Sequence, residues 1–287
     1  MVDTITLRDG RRLGFADYGE PGQDPVIWSH GGPGSRLEPQ GLAEAGRGSG
    51  FRLIGIDRPG YGHSDARPGR SIADWTCDAL TLADHLELGR FYAVGVSTGG
   101  AYALALASVA PNRVIGAIAC CALTDMRWRE GRAMMLPATH AVWDAASRDD
   151  ALRAAEDQFG ADGSRMLSSL PPGLFPAADV AMLSDPAVAA GFAEGNAASF
   201  AQGVAGYVDD RLADGVGWGS FGVDAVACPV IVLHGDADPI VPLAHARHTA
   251  RVVPGARLST HADLGHFSIV SRLVGALEEL RAAVLTP

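Results

Sequence analysis

A short apolar run, Phe91-Tyr-Ala-Val-Gly-Val96, leads directly into Ser97-Thr-Gly-Gly100 and then into the small-residue segment Ala101-Tyr-Ala-Leu-Ala-Leu-Ala107. β-rich residues giving way to alanine and leucine predict a buried strand, a one-residue bend at Ser97 and a helix. Gly95-Val-Ser-Thr-Gly99 at the junction is a G-x-S-x-G. A serine on so sharp a bend brings strand and helix together, and the residues two before and two after it must lack side chains. Its hydroxyl then stands exposed at the head of a helix, where free N–H groups stabilise a developing oxyanion. With 36 glycines in the chain, a chance match must be weighed, and Gly217-Trp-Gly-Ser-Phe-Gly222 supplies one. That G-x-G-x-x-G follows the polar stretch 208–215 instead of a strand, so it is set aside as a dinucleotide site.

Around the Ser97 unit the chain alternates between strand and helix signals. Thr4–Leu7 and Arg12–Tyr18, joined by Asp9-Gly10, read as a hairpin. Pro25–Ser29 and Phe51–Ile56 are short buried strands, followed by the loops His30-Gly-Gly-Pro-Gly34 and Asp57-Arg-Pro-Gly-Tyr-Gly-His-Ser64. Ser71–Leu88 has helical spacing, with Ser71 and Asp74 as a start signal. Val114–Leu123 is the next strand. The pattern predicts an α/β fold built on a mostly parallel, eight-stranded sheet covered on both faces.

From Thr124 to Phe221 the rhythm changes: no buried strand is apparent, and Arg148–Phe159, Met166–Leu170 and Pro186–Leu212 look helical, broken at Pro171-Pro172-Gly173 and Pro176. We expect residues 1–123 and 222–287 to form the core domain, and 124–221 a helical cap inserted after the sixth strand. The sheet resumes at Cys228–His234, with a helix at Leu243–Val252, a strand at Ala256–Thr260 and a last helix at Phe267–Val284.

The length of 287 residues suffices for one large domain with an insertion or for two small ones, and the net charge of −10 argues against nucleic acid as a partner. The longest apolar run, Val114–Leu123, is too short to span a bilayer, and the N-terminus has no apolar signal core. No membrane association and a cytoplasmic location are therefore expected. The four cysteines form no C-x-x-C and are expected as reduced, buried thiols, with Cys120 and Cys121 packed in a strand. All 23 basic residues are arginine. The lack of lysine excludes Schiff-base chemistry, a Walker A site and a Ser-Lys dyad.

A serine hydroxyl is a poor nucleophile until a base takes its proton and an acid orients that base. Candidate partners fall at predicted strand ends, the edge where an α/β sheet gathers reactive groups. They are the His30–Gly34 loop, Asp57, Asp236 and Asp238, and His261 and His266. Taken together, His30-Gly31-Gly32-Pro33, Asp57–Ser64, Gly95–Gly99, Gly235-Asp-Ala-Asp-Pro-Ile-Val-Pro242 and Gly265-His266 resemble the motifs of the α/β-hydrolase superfamily, in its order and over Thr4–Val284. The resemblance implies Ser97 as nucleophile, His266 as base and then acid, and Asp238 as the orienting acid. Gly32 and Thr98 are implied as the oxyanion N–H donors. Val241-Pro242 favours Asp238 over Asp236, and Gly265 with the helix that follows favours His266 over His261. His30 is expected to position the oxyanion loop, Asp57 and Arg58 to form a turn, and His245 and His248 to lie on the surface of a helix.

Serine at the elbow disfavours the haloalkane dehalogenases and epoxide hydrolases, which carry aspartate there, and the lack of lysine disfavours plant-type hydroxynitrile lyases. The expected activity is cleavage of small to medium apolar carboxylic esters through an acyl-enzyme on Ser97, with no cofactor and no metal. Proline iminopeptidases, which share H-G-G-P-G, cofactor-free perhydrolases and a non-catalytic ligand sensor on the same scaffold remain the alternatives.

Overall fold

The computed structural model describes residues 3–285 apart from Leu167, Ser169 and Pro172. Eight strands form one sheet: β1 (Asp3–Thr6), β2 (Arg12–Tyr18), β3 (Asp24–Ser29), β4 (Phe51–Ile56), β5 (Phe91–Val96), β6 (Val114–Cys120), β7 (Val230–Gly235) and β8 (Ala256–His261). Their spatial order is β1-β2-β4-β3-β5-β6-β7-β8. The pairs β1/β2 and β2/β4 are antiparallel and all the others parallel. From β3 the chain steps outward to β4, then crosses back to β5 on the other flank, so β3 and β5 border a topological switch point. Their carboxyl ends carry the His30–Gly34 loop and Ser97, where such folds bind ligands.

The parallel strands are apolar throughout because both faces are covered. On one face Ile27, Ile54 and Ala93 pack with Trp75, Leu82 and Leu104. On the other, Val26, Trp28, Leu53 and Val94 pack with Leu273, Leu277 and Leu280. Alternate residues of β3 thus serve opposite layers, as a pleat of period two requires.

The helices are α1 (Gln40–Ala45), α2 (Ile72–His85), α3 (Gly99–Val109), α4 (Arg129–Ala133), α5 (Pro137–Trp143), α6 (Arg148–Phe159), α7 (Ala177–Leu183), α8 (Pro186–Ser199), α9 (Ala205–Val216), α10 (Leu243–Val252) and α11 (Leu273–Leu285). Helix α2 starts at the Ser71/Asp74 capping box expected from the sequence. Helices α4 to α9 all lie between β6 and β7. The Pro186–Leu212 segment is two helices, not one, because the chain breaks between Ser199 and Ala205. Met166–Leu170 is a turn among its described residues, and Pro172 of the expected Pro-Pro-Gly break lies outside them. No helix among the described residues is long and apolar enough to cross a membrane.

A buried ionic cluster ties α9 to the sheet. The Asp210 carboxylate accepts from Arg58 Nη2 at 2.7 Å, Arg70 Nη2 at 2.6 Å, Tyr61 Oη at 2.8 Å and Tyr102 Oη at 2.9 Å. Burial pushes the Asp210 carboxyl upward, but the two guanidiniums override this and hold it far below the usual range. A carboxyl depressed in this way contributes fully above its unfolded value of about 3.9 and loses that contribution as pH falls below it. Asp210→Ala strands two buried cations and is expected to cost about 3–5 kcal/mol. The urea midpoints of the two proteins should differ accordingly near neutral pH, and the gap should narrow on acidification.

Candidate active site

Ser97 follows β5 directly and heads α3. Its φ of 54° is a left-handed conformation that side chains adopt at a cost of roughly 1–2 kcal/mol. A Cβ at Gly95 would fall on the Gly99 carbonyl, and one at Gly99 on the Ser29 carbonyl. The G-x-S-x-G spacing is thus a packing requirement. Ser97 is 9% exposed and His266 8%, so both side chains are largely withdrawn from bulk water.

Among the acid and base candidates, the structure brings Asp238 and His266 together. Asp238 Oδ2 lies 2.8 Å from His266 Nδ1, and Oδ1 accepts from the Ile240 and Val241 N–H groups at 2.8 and 2.9 Å. Asp236 is exposed and accepts from the Asp263 N–H instead, while His261 lies 3.4 Å from Ser259 Oγ. Burial opposes the charge on His266, but the carboxylate beside it overrides this, and the ring titrates well above its ordinary 6.5. Asp238 is buried too, and His266 draws its carboxyl below the ordinary value. No hydrogen bond joins Ser97 to His266 among the described residues. Such links are often long before a substrate arrives.

The loop after β3 is held from both sides. Arg58 N–H donates to His30 Nε2 at 3.1 Å, which leaves the proton on Nδ1, 2.6 Å from the Gly31 carbonyl. Burial and then the Arg58 charge keep His30 neutral, well below its ordinary pKa. Arg58 Nη2 donates to the same Gly31 carbonyl at 2.7 Å, and Nη1 to that of His30. The Gly31 N–H donates to Glu38 Oε2 at 2.8 Å, and Glu38 Oε1 accepts from Trp28 Nε1 at 2.9 Å. Burial raises the Glu38 carboxyl, against the hydrogen bonds that lower it. In a trans peptide C=O and N–H point opposite ways. Fixing the Gly31 carbonyl therefore aims the Gly32 N–H. Neither that N–H nor the Thr98 N–H has an acceptor among the described residues. A Cβ at Gly32 would lie 2.7 Å from Thr98 Oγ1 and 3.1 Å from Arg211 Nη2. Arg211 itself bonds Thr98 Oγ1 and pairs with Asp214, whose carboxyl burial pushes up to about 6.

Several residues behave otherwise than the sequence suggested. Arg58 does more than form a turn, since its side chain spans Asp210 and the His30–Gly31 carbonyls. Asp57 does stabilise its turn, accepting from His63 N–H, and also holds the Arg36 backbone at 2.7 Å. His245 is not on the surface: it is fully buried, 3.0 Å from the Gly131 carbonyl. His248 is half-buried and stacked on Trp128 at 4.3 Å. Asp179 of α7 was not singled out, yet it is fully buried and accepts from Ser268 N–H at 2.8 Å and Ser268 Oγ at 2.6 Å, two residues beyond His266.

Of the cysteines, Cys77 is exposed instead of buried, and Cys121 lies just past the end of β6. It is buried and free, with φ 41°, and its sulfur lies within 4.8 Å of ligand atoms of both Asp238 and His266. These three are the one trio among the described residues spaced to hold a metal ion. Burial raises the Cys121 thiol well above its ordinary pKa, and a protonated thiol is a poor ligand. Asp238 and His266 are in addition bonded to each other. The trio therefore suits a neutral thiol packed beside an ion pair.

The profile of the alpha/beta hydrolase fold matches residues 24–273. The chain is 26% identical to the uncharacterized hydrolase YcgS of Bacillus subtilis over 92% of its own length and 91% of that protein's. It is 29% identical to a non-heme haloperoxidase of Rhodococcus erythropolis, over 91% and 92% of the two chains. A solved structure of a hydrolase from Pseudomonas aeruginosa superposes with a TM-score of 0.74 at 23% identity, covering 100% of this chain and 98% of that one. That last likeness speaks for the fold. With the family profile spanning most of its length, the chain belongs to the alpha/beta hydrolase fold family.

Proposed function

We propose that the protein is a serine hydrolase of carboxylic esters, acting through an acyl-enzyme on Ser97. The observation that carries this reading is the 2.8 Å Asp238–His266 pair at the same sheet edge as a left-handed Ser97 with two unpaired backbone N–H groups beside it. With Nδ1 facing Asp238, His266 Nε2 is the nitrogen left to take the Ser97 proton. Ser97 Oγ attacks the ester carbonyl, and the Gly32 and Thr98 N–H groups receive the negative charge of the tetrahedral intermediate. His266 returns the proton to the departing alcohol, then draws one from the water that releases the acid. Arg58 and His30 act one step back as positioning residues, by fixing the peptide that bears the Gly32 N–H. The helices between β6 and β7, residues 124–221 on our reading, serve as the cap.

A second reading is favoured by the likeness to the Rhodococcus haloperoxidase. Hydrogen peroxide would replace water as acceptor of the acyl group, and a peracid would leave in place of the acid. Peroxide-dependent bromination of monochlorodimedone in acetate distinguishes it from plain hydrolysis.

Ser97→Ala is expected to lower kcat on p-nitrophenyl esters on the order of a million-fold, and a fluorophosphonate probe should add mass at Ser97 only in proteins that retain His266. Turnover that survives Ser97→Ala would overturn the assignment.

Only neutral His266 serves as base, and its pKa is raised, so kcat/KM should climb with pH along a limb centred above 6.5. Asp238→Asn should move that limb down while lowering kcat roughly 10^4-fold.

Arg58→Lys keeps a cation for Asp210 but loses the fork that reaches the loop carbonyls. A fall in kcat of at least about tenfold is expected, since a whole oxyanion donor is worth 10^2–10^3. KM should stay near its original value, and circular dichroism should report an intact fold.

A further inference from the structure

A cavity of about 710 Å³ opens between the oxyanion loop, α1, α7 and α8. Its lining includes Pro33 and Gly34, just past Gly32, and Phe267, which follows His266. Met182, Leu183, Val188 and Phe192 make its walls apolar. Its volume falls within the range of small-molecule sites. The charged groups on its lining are all carboxylates: Glu38 near the reaction centre, and Glu44 and Glu194, both exposed. No arginine or histidine lines it. The guanidiniums around the loop are already engaged, Arg36 by Asp57, Arg58 by Asp210 and Arg211 by Asp214.

We infer that this cavity receives the acyl chain of the ester, and that it selects neutral and cationic chains over carboxylate-bearing ones. The inference rests on the ester-hydrolase reading above and adds the substrate class. An acyl group bonded to Ser97 and leaving past Pro33 and Phe267 runs into the apolar walls. A carboxylate at its far end would meet Glu44 and Glu194 in a lining that carries no cation, whereas a neutral end meets no such repulsion. A quaternary ammonium at that end would meet Glu44 and Glu194.

Three p-nitrophenyl esters of similar acyl length test the charge rule: the hexanoate, the hemiglutarate and an ω-trimethylammonio ester. We expect kcat/KM for hexanoate to exceed that for hemiglutarate by about threefold or more, the scale of contacts between solvent-exposed charges, with the cationic ester at or above hexanoate. The double variant Glu44→Gln/Glu194→Gln should narrow the hexanoate-to-hemiglutarate ratio. Gly191→Phe tests the location, since a side chain at Gly191, a lining residue of α8, meets open space. It should lower the decanoate-to-acetate ratio of kcat/KM by at least about tenfold, the loss expected when a ring blocks a few buried methylenes.

Ser97-dependent turnover with hemiglutarate equal to hexanoate would overturn the charge rule while leaving the hydrolase reading intact. A decanoate-to-acetate ratio unmoved by Gly191→Phe would overturn the placement of the acyl chain. No Ser97-dependent turnover of any of the esters would overturn the hydrolase reading, and this inference with it.

Discussion

Asp210 is the charge around which two halves of the molecule meet. It lies on α9, beyond β6 in the chain, and every group it binds comes from before β6: Arg58 and Tyr61 from the loop after β4, Arg70 from the approach to α2, and Tyr102 from α3. Two cations and two phenols satisfy both carboxylate oxygens in a region closed to water. A buried ion pair gains little over a well-packed apolar pair, but removing one partner is severe. The cluster therefore fixes how α9 sits more than it adds net stability. Arg58 carries that constraint onward, since the guanidinium bonded to Asp210 is also bonded to the His30 and Gly31 carbonyls.

A comparable arrangement supports the opposite side of the site. Asp179 of α7 accepts from the backbone and hydroxyl of Ser268, just past His266. A Cβ at Gly265 would run into this carboxylate. The helices between β6 and β7 thus reach the loop after β3 through Asp210 and the loop after β8 through Asp179. Between these supports lies the Ser97 elbow, which needs neither, because β5 is central in the sheet and α3 is buried along nearly its whole length.

The degree to which each part was legible follows from how local its cause is. The elbow is written in five consecutive residues, since close packing excludes a side chain at Gly95 and Gly99. Strand positions were legible because burial on both faces leaves continuous apolar runs. Asp238 and His266 were chosen over Asp236 and His261 through their neighbours, Val241-Pro242 and Gly265, and these are the pair that meet at 2.8 Å. Arg58 was read as part of a turn because its own segment is rich in glycine and proline. Its partner lies 152 positions away, on a helix with no pattern that marks Asp210 apart from Asp209 or Asp214. His245 was misplaced for a related reason. Polar residues on a helix usually face water, but α10 lies under the Trp128 segment, which covers His245 from above.

These two kinds of residue divide the work at the sheet edge. A strand end can place a Cα accurately, but it cannot by itself orient the peptide that follows, because that peptide has left the ladder. The Gly31–Gly32 peptide is in this position, past the last β3 pairing at Ser29. Its carbonyl is taken by Arg58 and His30, and the N–H of the peptide before it by Glu38. Its own N–H is then left pointing away with no acceptor. Orienting a donor in this way takes groups that share no short motif with it. Such supports appear only when the chain is folded, while the groups proposed to do the chemistry can be read beforehand from their immediate neighbours.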